Sequence, residues 1–138
     1  VALALGYMGI LAYLYTNQRR MVFRPDTLID LPEAYGLRGF EEAFLRKDGQ
    51  ALQLWLHTAA RGFPTIVYFH GNASHMGNRA AKYQAFVALG FGVVALSYRG
   101  YGKSTGFPCE AGLYDDARAT LAYVADNLGI PLSHVVLY

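Results

Sequence analysis

The stretch "GVVALSYRGYGKSTGFP", residues 92–108, holds a strand and the glycine-rich loop that follows it. Its first five residues are apolar and rich in valine, a pattern typical of a strand buried on both faces. Similar apolar runs occur at 65–69 ("TIVYF") and at 135–137 ("VVL"). Apolar residues at helical spacing lie between the runs, at 78–89 and 113–128. This alternation predicts βαβ units, a parallel sheet with flanking helices, and hence the α/β class.

A hairpin is predicted before these units. Residues 40–59 contain two runs of alternating apolar and polar residues, separated by Asp48 and Gly49. Asp-Gly between two such runs is a strong hairpin signal, because the tight turn requires positive φ. The hairpin strands are antiparallel, so the predicted sheet is mixed although mostly parallel.

Composition narrows the class of protein. The chain has 138 residues, of which 54% are hydrophobic and 16% charged, which fits one folded domain. A net charge of +2 gives no footprint for nucleic acid. One cysteine, Cys109, excludes an internal disulfide, and we expect it to be a buried or half-buried thiol rather than a nucleophile. No spacing typical of metal ligands occurs, and we predict no cofactor.

The first residues predict a membrane segment. Residues 1–15 carry no charge, and Arg19, Arg20 and Arg24 follow. We expect a transmembrane signal-anchor helix over residues 1–18, followed by a connector over 19–39. A cleaved signal peptide and a buried soluble helix remain as alternatives. The arginines would place the downstream domain in the cytoplasm by the positive-inside rule.

Two catalytic patterns overlap in the glycine-rich loop. Residues 102–106 match the G-x-S-x-G nucleophile elbow around Ser104, and 102–104 match the end of a P-loop. An elbow needs a strand directly before it and a helix directly after it. The strand ends several residues earlier, and Pro108 blocks a helix beginning at the serine. A P-loop would need glycine where Ser97 stands. We therefore predict a surface loop that borders a ligand crevice.

Four stretches together carry a family resemblance. They are "QRRMVFRP" at 18–25, "YFHGNA" at 68–73, "SYRGYGKSTGFP" at 97–108 and "DDA" at 115–117. The chain resembles the α/β-hydrolase superfamily and, within it, the Bem46-like and ABHD13/ABHD17-like membrane-anchored serine hydrolases. The resemblance implies that residues 40–138 are the N-terminal part of an α/β-hydrolase domain, truncated before its nucleophile elbow.

The resemblance also implies where the site lies. In this fold the elbow follows the fifth strand of the family's sheet, which the resemblance identifies here with residues 135–138. The order of the triad along the chain is serine, acid, histidine. The nucleophile, acid and base are therefore expected beyond Tyr138, with no catalytic side chain in this chain. One oxyanion-hole donor is expected here, the backbone amide of Asn72, supported by Gly71 and His70.

Three functions follow as hypotheses. The first is the N-terminal fragment of a membrane-anchored serine hydrolase, which is inactive by itself. The full protein would cleave esters, thioesters or amides through an acyl-enzyme, with a small-molecule or acyl substrate and a membrane as partners. The second is a non-catalytic α/β-hydrolase-like membrane scaffold or binding protein. The third is a P-loop nucleotide binder, which would depend on Lys103.

Overall fold

The computed structural model describes all residues from Val1 to Tyr138. The helices are α1 (Ala2–Val22), α2 (Ala80–Ala88) and α3 (Glu110–Asp126). The strands are β1 (Arg24–Pro25), β2 (Glu41–Lys47), β3 (Gln50–His57), β4 (Thr65–Phe69), β5 (Ala73–Ser74), β6 (Gly92–Leu96) and β7 (Val135–Leu137). Short 3-10 helices cover Pro32–Tyr35, Met76–Arg79 and Leu132–His134.

Five strands form one mixed sheet, as the sequence predicts. Their order is β2-β3-β6-β4-β7, with β4 parallel to both β6 and β7 and β3 antiparallel to its neighbours. The turn between β2 and β3 has positive φ at both Asp48 (49°) and Gly49 (76°). A two-residue hairpin turn requires positive φ at both positions, which Asp and Gly tolerate. The hairpin predicted from Asp48 and Gly49 is therefore confirmed.

Helices cover both faces of this sheet. Successive residues of a strand point to opposite faces, so β6 directs Val93 to one core cluster and Val94 to another. On the first face Tyr83 of α2 is fully buried, and on the second face Val124 of α3 is fully buried. Full burial of a valine such as Val93 or Val124 contributes about 1.5–3 kcal/mol. Ile29 and Leu37, which precede the hairpin, also lie in the first cluster.

The first helix does not match the predicted transmembrane segment over residues 1–18. It extends to Val22, and no helix of the structure is long and apolar enough to cross a membrane. The reason is that Thr16 to Arg20 are polar or charged, which leaves a shorter apolar stretch than the roughly 17–25 residues of a span. None of the residues of α1 is buried against residues 23–138.

The other two helices differ from the predictions at their ends. The first predicted helix, over 78–89, is an α-helix only over Ala80–Ala88, after a 3-10 turn. The second helix, predicted from residue 113, begins at Glu110. The residue before it, Cys109, has an extended backbone and is the N-cap of the helix. The parallel strands β4, β6 and β7 share one carboxyl edge, where the loops after β4 and β6 meet.

Candidate functional site

The loop after β4 begins with a histidine that joins two loops. His70 is buried, its Nδ1 lies 2.6 Å from the Gly71 carbonyl oxygen, and its Nε2 accepts a hydrogen bond from the Tyr98 amide at 3.4 Å. This arrangement requires the proton on Nδ1, which donates to Gly71. Burial lowers the pKa of His70, which keeps the ring neutral at pH 7. The rings of Tyr98 and Tyr101 pack edge-on against it, at 5.3 and 4.8 Å between centroids.

The bond from His70 orients the peptide group between Gly71 and Asn72. In a trans peptide the C=O and the N–H point in opposite directions. Because the Gly71 carbonyl is held by His70, the Asn72 N–H points away from the histidine. That N–H donates to no protein acceptor, and both residues are exposed. A Cβ built on Gly71 would find no atom within 4 Å, so there is room beside this amide for a ligand.

The backbone carbonyl and the side-chain nitrogen of Asn72 are both engaged. Its carbonyl accepts hydrogen bonds from the Arg24 amide at 2.9 Å and the Tyr101 hydroxyl at 2.8 Å. Its side-chain amide donates to the carbonyl of Val22 at 2.7 Å. The side chain of Asn72 thus attaches the loop to the end of α1. The backbone N–H of Asn72 has no protein acceptor and is free to donate to a ligand.

The end of β7 lies beside this loop. The carbonyl of Tyr138 accepts a hydrogen bond from the Phe69 amide at 2.8 Å, one residue before His70. The Tyr138 amide in turn donates to Val67 at 3.0 Å. The carboxyl ends of β4 and β7 therefore lie side by side, three residues before Asn72 in the loop after β4.

The loop after β6 is packed against the sheet. Ser104 is buried, and its hydroxyl accepts from the Gln53 amide at 2.8 Å and donates to the Ser97 carbonyl at 2.6 Å. No histidine contacts the Ser104 hydroxyl, so it lacks the base that a nucleophilic serine needs. The prediction of a surface loop is wrong at Tyr101, Gly102 and Ser104, which are buried.

Lys103 is also engaged within the protein. Its ammonium lies 2.8 and 3.1 Å from the two carboxylate oxygens of Glu42, and its amide donates to the side-chain oxygen of Gln53 at 2.9 Å. No helix begins at this lysine, since α3 starts at Glu110. The residues "GKS" at 102–104 therefore attach the loop to β2 and β3 and form no phosphate cradle.

An ion pair between Arg99 and the buried Asp116 joins the same loop to α3. Arg99 Nη2 lies 2.6 Å from Asp116 Oδ1, its Nε lies 3.0 and 3.1 Å from the two oxygens, and its amide donates at 2.9 Å. The hydrogen bond to this carboxylate raises the pKa of Arg99. Asp116 is 1% exposed, and its carboxylate is bonded to the loop that follows β6.

The remaining titratable groups form no second site. His75 accepts from the Gly77 amide, the His57 ring packs against Phe40 in a tilted orientation, and His134 is exposed next to Ser133. No group of three or more His, Cys, Asp and Glu side chains is placed to hold a metal ion. Cys109 is a half-buried free cysteine, within the prediction of a buried or half-buried thiol.

No protein-family model matches the chain. It is 34% identical to the Bem46 protein of Schizosaccharomyces pombe over 93% of its own residues and 46% of that protein. It is 37% identical to the lysophosphatidylserine lipase ABHD12 of Xenopus tropicalis over 63% of its residues and 24% of that protein. An α/β-hydrolase structure from Vibrio vulnificus matches 76% of the chain with a TM-score of 0.66 and 25% identity, over 36% of that structure. The chain thus spans less than half of each of these proteins.

Proposed function

The chain belongs to the Bem46-like α/β-hydrolases, and we propose that it forms the N-terminal part of a serine hydrolase. The reaction is the hydrolysis of esters, thioesters or amides through an acyl-enzyme. In this proposal the Asn72 amide is one of two donors that bind the oxyanion of the tetrahedral intermediate. His70 and Gly71 support it by orienting the peptide and leaving room for the substrate.

The free N–H of Asn72 at the carboxyl edge of the sheet carries the proposal. An oxyanion donor must be preorganised and unoccupied before the reaction, because its value lies in meeting charge that develops in the transition state. The Asn72 N–H meets both conditions: its peptide is held by His70, and it has no protein acceptor. Removing one such donor typically lowers kcat by about 10²–10³-fold.

We place the nucleophile after β7, outside residues 1–138. Two observations support this position. The carboxyl end of β7 lies next to β4, so a residue that follows Tyr138 would emerge beside the Asn72 amide. Within the chain, the Ser104 hydroxyl is committed to the sheet, and Ser133 lies before β7, at the opposite edge. A match to 46% of the Bem46 protein is consistent with further catalytic residues elsewhere.

Lipid esters are the substrate class that we propose first. The name of the ABHD12 relative describes a lipase of lysophosphatidylserine. In this chain α1 exposes large apolar side chains, among them Leu3 and Ile10, and carries Arg19 and Arg20 in its last turn. An apolar helix with basic residues at its end supports association with an anionic membrane surface, where such lipids occur.

Labelling with a fluorophosphonate tests the proposal. The full-length protein that contains these residues is treated with the probe, and the modified serine is located by peptide mass spectrometry. We expect one labelled serine beyond residue 138, and we expect Ser104→Ala to label as well as the wild type. A folded protein without any label would support the non-catalytic scaffold instead. Label located on Ser104 itself by mass spectrometry would overturn the assignment of the nucleophile.

A further inference from the structure

The last residue of α1 and the four residues after it contact the candidate oxyanion loop. We call these residues, 22–26, the strap. We propose that the strap, together with the hydroxyl of Tyr101, is a positioning element that holds Asn72 with its amide aimed at the substrate. The inference rests on the proposed function, because it assigns a catalytic consequence to these contacts.

The strap pairs with the loop as a short parallel ladder. Its central strand β1 lies beside β5, with Arg24 opposite Ala73 and Pro25 opposite Ser74. The Arg24 amide donates to the Asn72 carbonyl at 2.9 Å, and the Asp26 amide donates to the Ser74 carbonyl at 3.2 Å. The strap therefore holds the backbone on both sides of Ala73.

Three groups that lie far away in the sequence form hydrogen bonds to Asn72. The strap supplies the carbonyl of Val22, which accepts from the Asn72 side chain at 2.7 Å, and the amide of Arg24. The loop after β6 supplies the buried hydroxyl of Tyr101, which donates to the Asn72 carbonyl at 2.8 Å. His70 holds the preceding peptide, so the peptide groups before and after the Asn72 Cα are both restrained.

The strap also links the two loops of the carboxyl edge. The carbonyl of Asp26 accepts from the Gly102 amide at 2.9 Å, and its carboxylate lies 3.8 Å from the His75 ring. Ser74, between these contacts, has a φ of +70°, which is uncommon for a residue other than glycine. Such a conformation persists only where surrounding contacts hold it, and the strap supplies them.

Two point variants of the full-length protein test the inference. Asn72→Ala removes the bond to Val22 and keeps the backbone amide, and Tyr101→Phe removes one bond to the Asn72 carbonyl. With p-nitrophenyl butyrate as the probe substrate, we expect each to lower kcat about tenfold, less than outright loss of a donor, with KM within about twofold. The affinity for a trifluoromethyl ketone, which forms a tetrahedral adduct with the nucleophile, should fall by the same factor.

Matched controls separate this effect from general damage. Tyr114→Phe removes an exposed hydroxyl on α3, and Asn17→Ala removes a side chain that bonds only within α1. Both should retain wild-type kcat. Variants of Asn72 and Tyr101 that lose stability but keep wild-type kcat and ketone affinity would overturn the inference. If the wild type neither hydrolyses the probe nor reacts with a fluorophosphonate, the proposed function fails first.

A pair of truncations tests the strap apart from α1. A protein that begins at Val22 keeps the strap and should retain kcat, whereas one that begins at Thr27 lacks the strap and should lose about tenfold or more. Equal kcat values for the two truncations would contradict the positioning role. If the shorter protein does not fold, the point variants above decide the matter.

Discussion

The hydroxyl of Ser104 bridges β3 to the end of β6 by accepting the N–H of Gln53 at 2.8 Å and donating to the carbonyl of Ser97 at 2.6 Å. The Ser97 amide donates to the Gln53 carbonyl at 2.9 Å, so these two residues already form half of an antiparallel pair. The second bond of such a pair would run from the Gln53 amide to the Ser97 carbonyl. Here the Ser104 hydroxyl lies between these two groups and bonds both. The serine of the apparent nucleophile motif thus has a structural role.

Ser104→Ala should destabilise the protein. The change leaves the Gln53 N–H and the Ser97 carbonyl without partners in a buried position, which costs about 1–3 kcal/mol. Urea denaturation monitored by tryptophan fluorescence measures the loss. Ser133→Ala is the matched control, since its hydroxyl is exposed, and it should change the free energy of unfolding by less than about 0.5 kcal/mol. Equal stabilities for the two variants would refute the bridging role.

Asp116→Ala should be more destabilising than Asp115→Ala. The first change removes the acceptor of three Arg99 groups, namely the backbone amide, Nε and Nη2. The Arg99 side chain is 21% exposed. We expect a loss of about 2–4 kcal/mol, at or below the range for a fully buried pair, because the arginine can regain some water. Asp115 forms an exposed pair with Arg118, which is worth about 0–1 kcal/mol. A similar small loss for both variants in thermal denaturation would contradict this account.

Gly102→Ala should cost more than Gly49→Ala, although both glycines have positive φ. At Gly49 (φ +76°) a Cβ would meet nothing within 4 Å, so only the backbone cost of about 1–2 kcal/mol applies. At Gly102 (φ +52°) a Cβ would lie 2.8 Å from the Ser97 hydroxyl, which adds about 1–3 kcal/mol of overpacking. Equilibrium denaturation of both variants tests the difference. Equal losses would show that the loop yields to the added methyl group.

Stability should fall with decreasing pH because of His70. Burial lowers the pKa of this ring in the folded state, so below pH 6.5 the unfolded state binds the proton more readily. The stabilisation is complete above that pH and declines as the pH falls towards the lowered pKa, by at most about 1.4 kcal/mol per pH unit. The positive charge of Arg79 and the nearby His75 act in the same direction.

Urea denaturation at pH 7.5 and 5.5 measures this dependence. His70→Gln lacks the titrating ring, so the wild type should lose more stability than the variant between these two pH values. The variant keeps every other titratable group, so the difference between the two proteins reports on the ring of His70. An identical pH dependence in wild type and variant would show that His70 does not contribute.

The loop after β6 could be predicted from sequence only in part. The excess of glycine indicated unusual backbone angles, and the structure has positive φ at Gly100, Gly102 and Gly106. The spacing of Pro108 excluded a nucleophile elbow. The burial of Ser104 could not be predicted, because its partner Gln53 lies 51 residues earlier and no local pattern reports such a contact.

The sequence by itself determined the strands and the hairpin, because apolar runs, alternation and an Asp-Gly turn act over a few neighbouring residues. It also carried the family resemblance through "HGNA" and "YRGYG". Only the tertiary structure decided what holds Asn72. The strap lies nearly fifty residues before this loop, and Tyr101 lies 29 residues after Asn72. Two-residue strands such as β1 and β5 have no periodicity, so their pairing appears only once the chain has folded around the sheet.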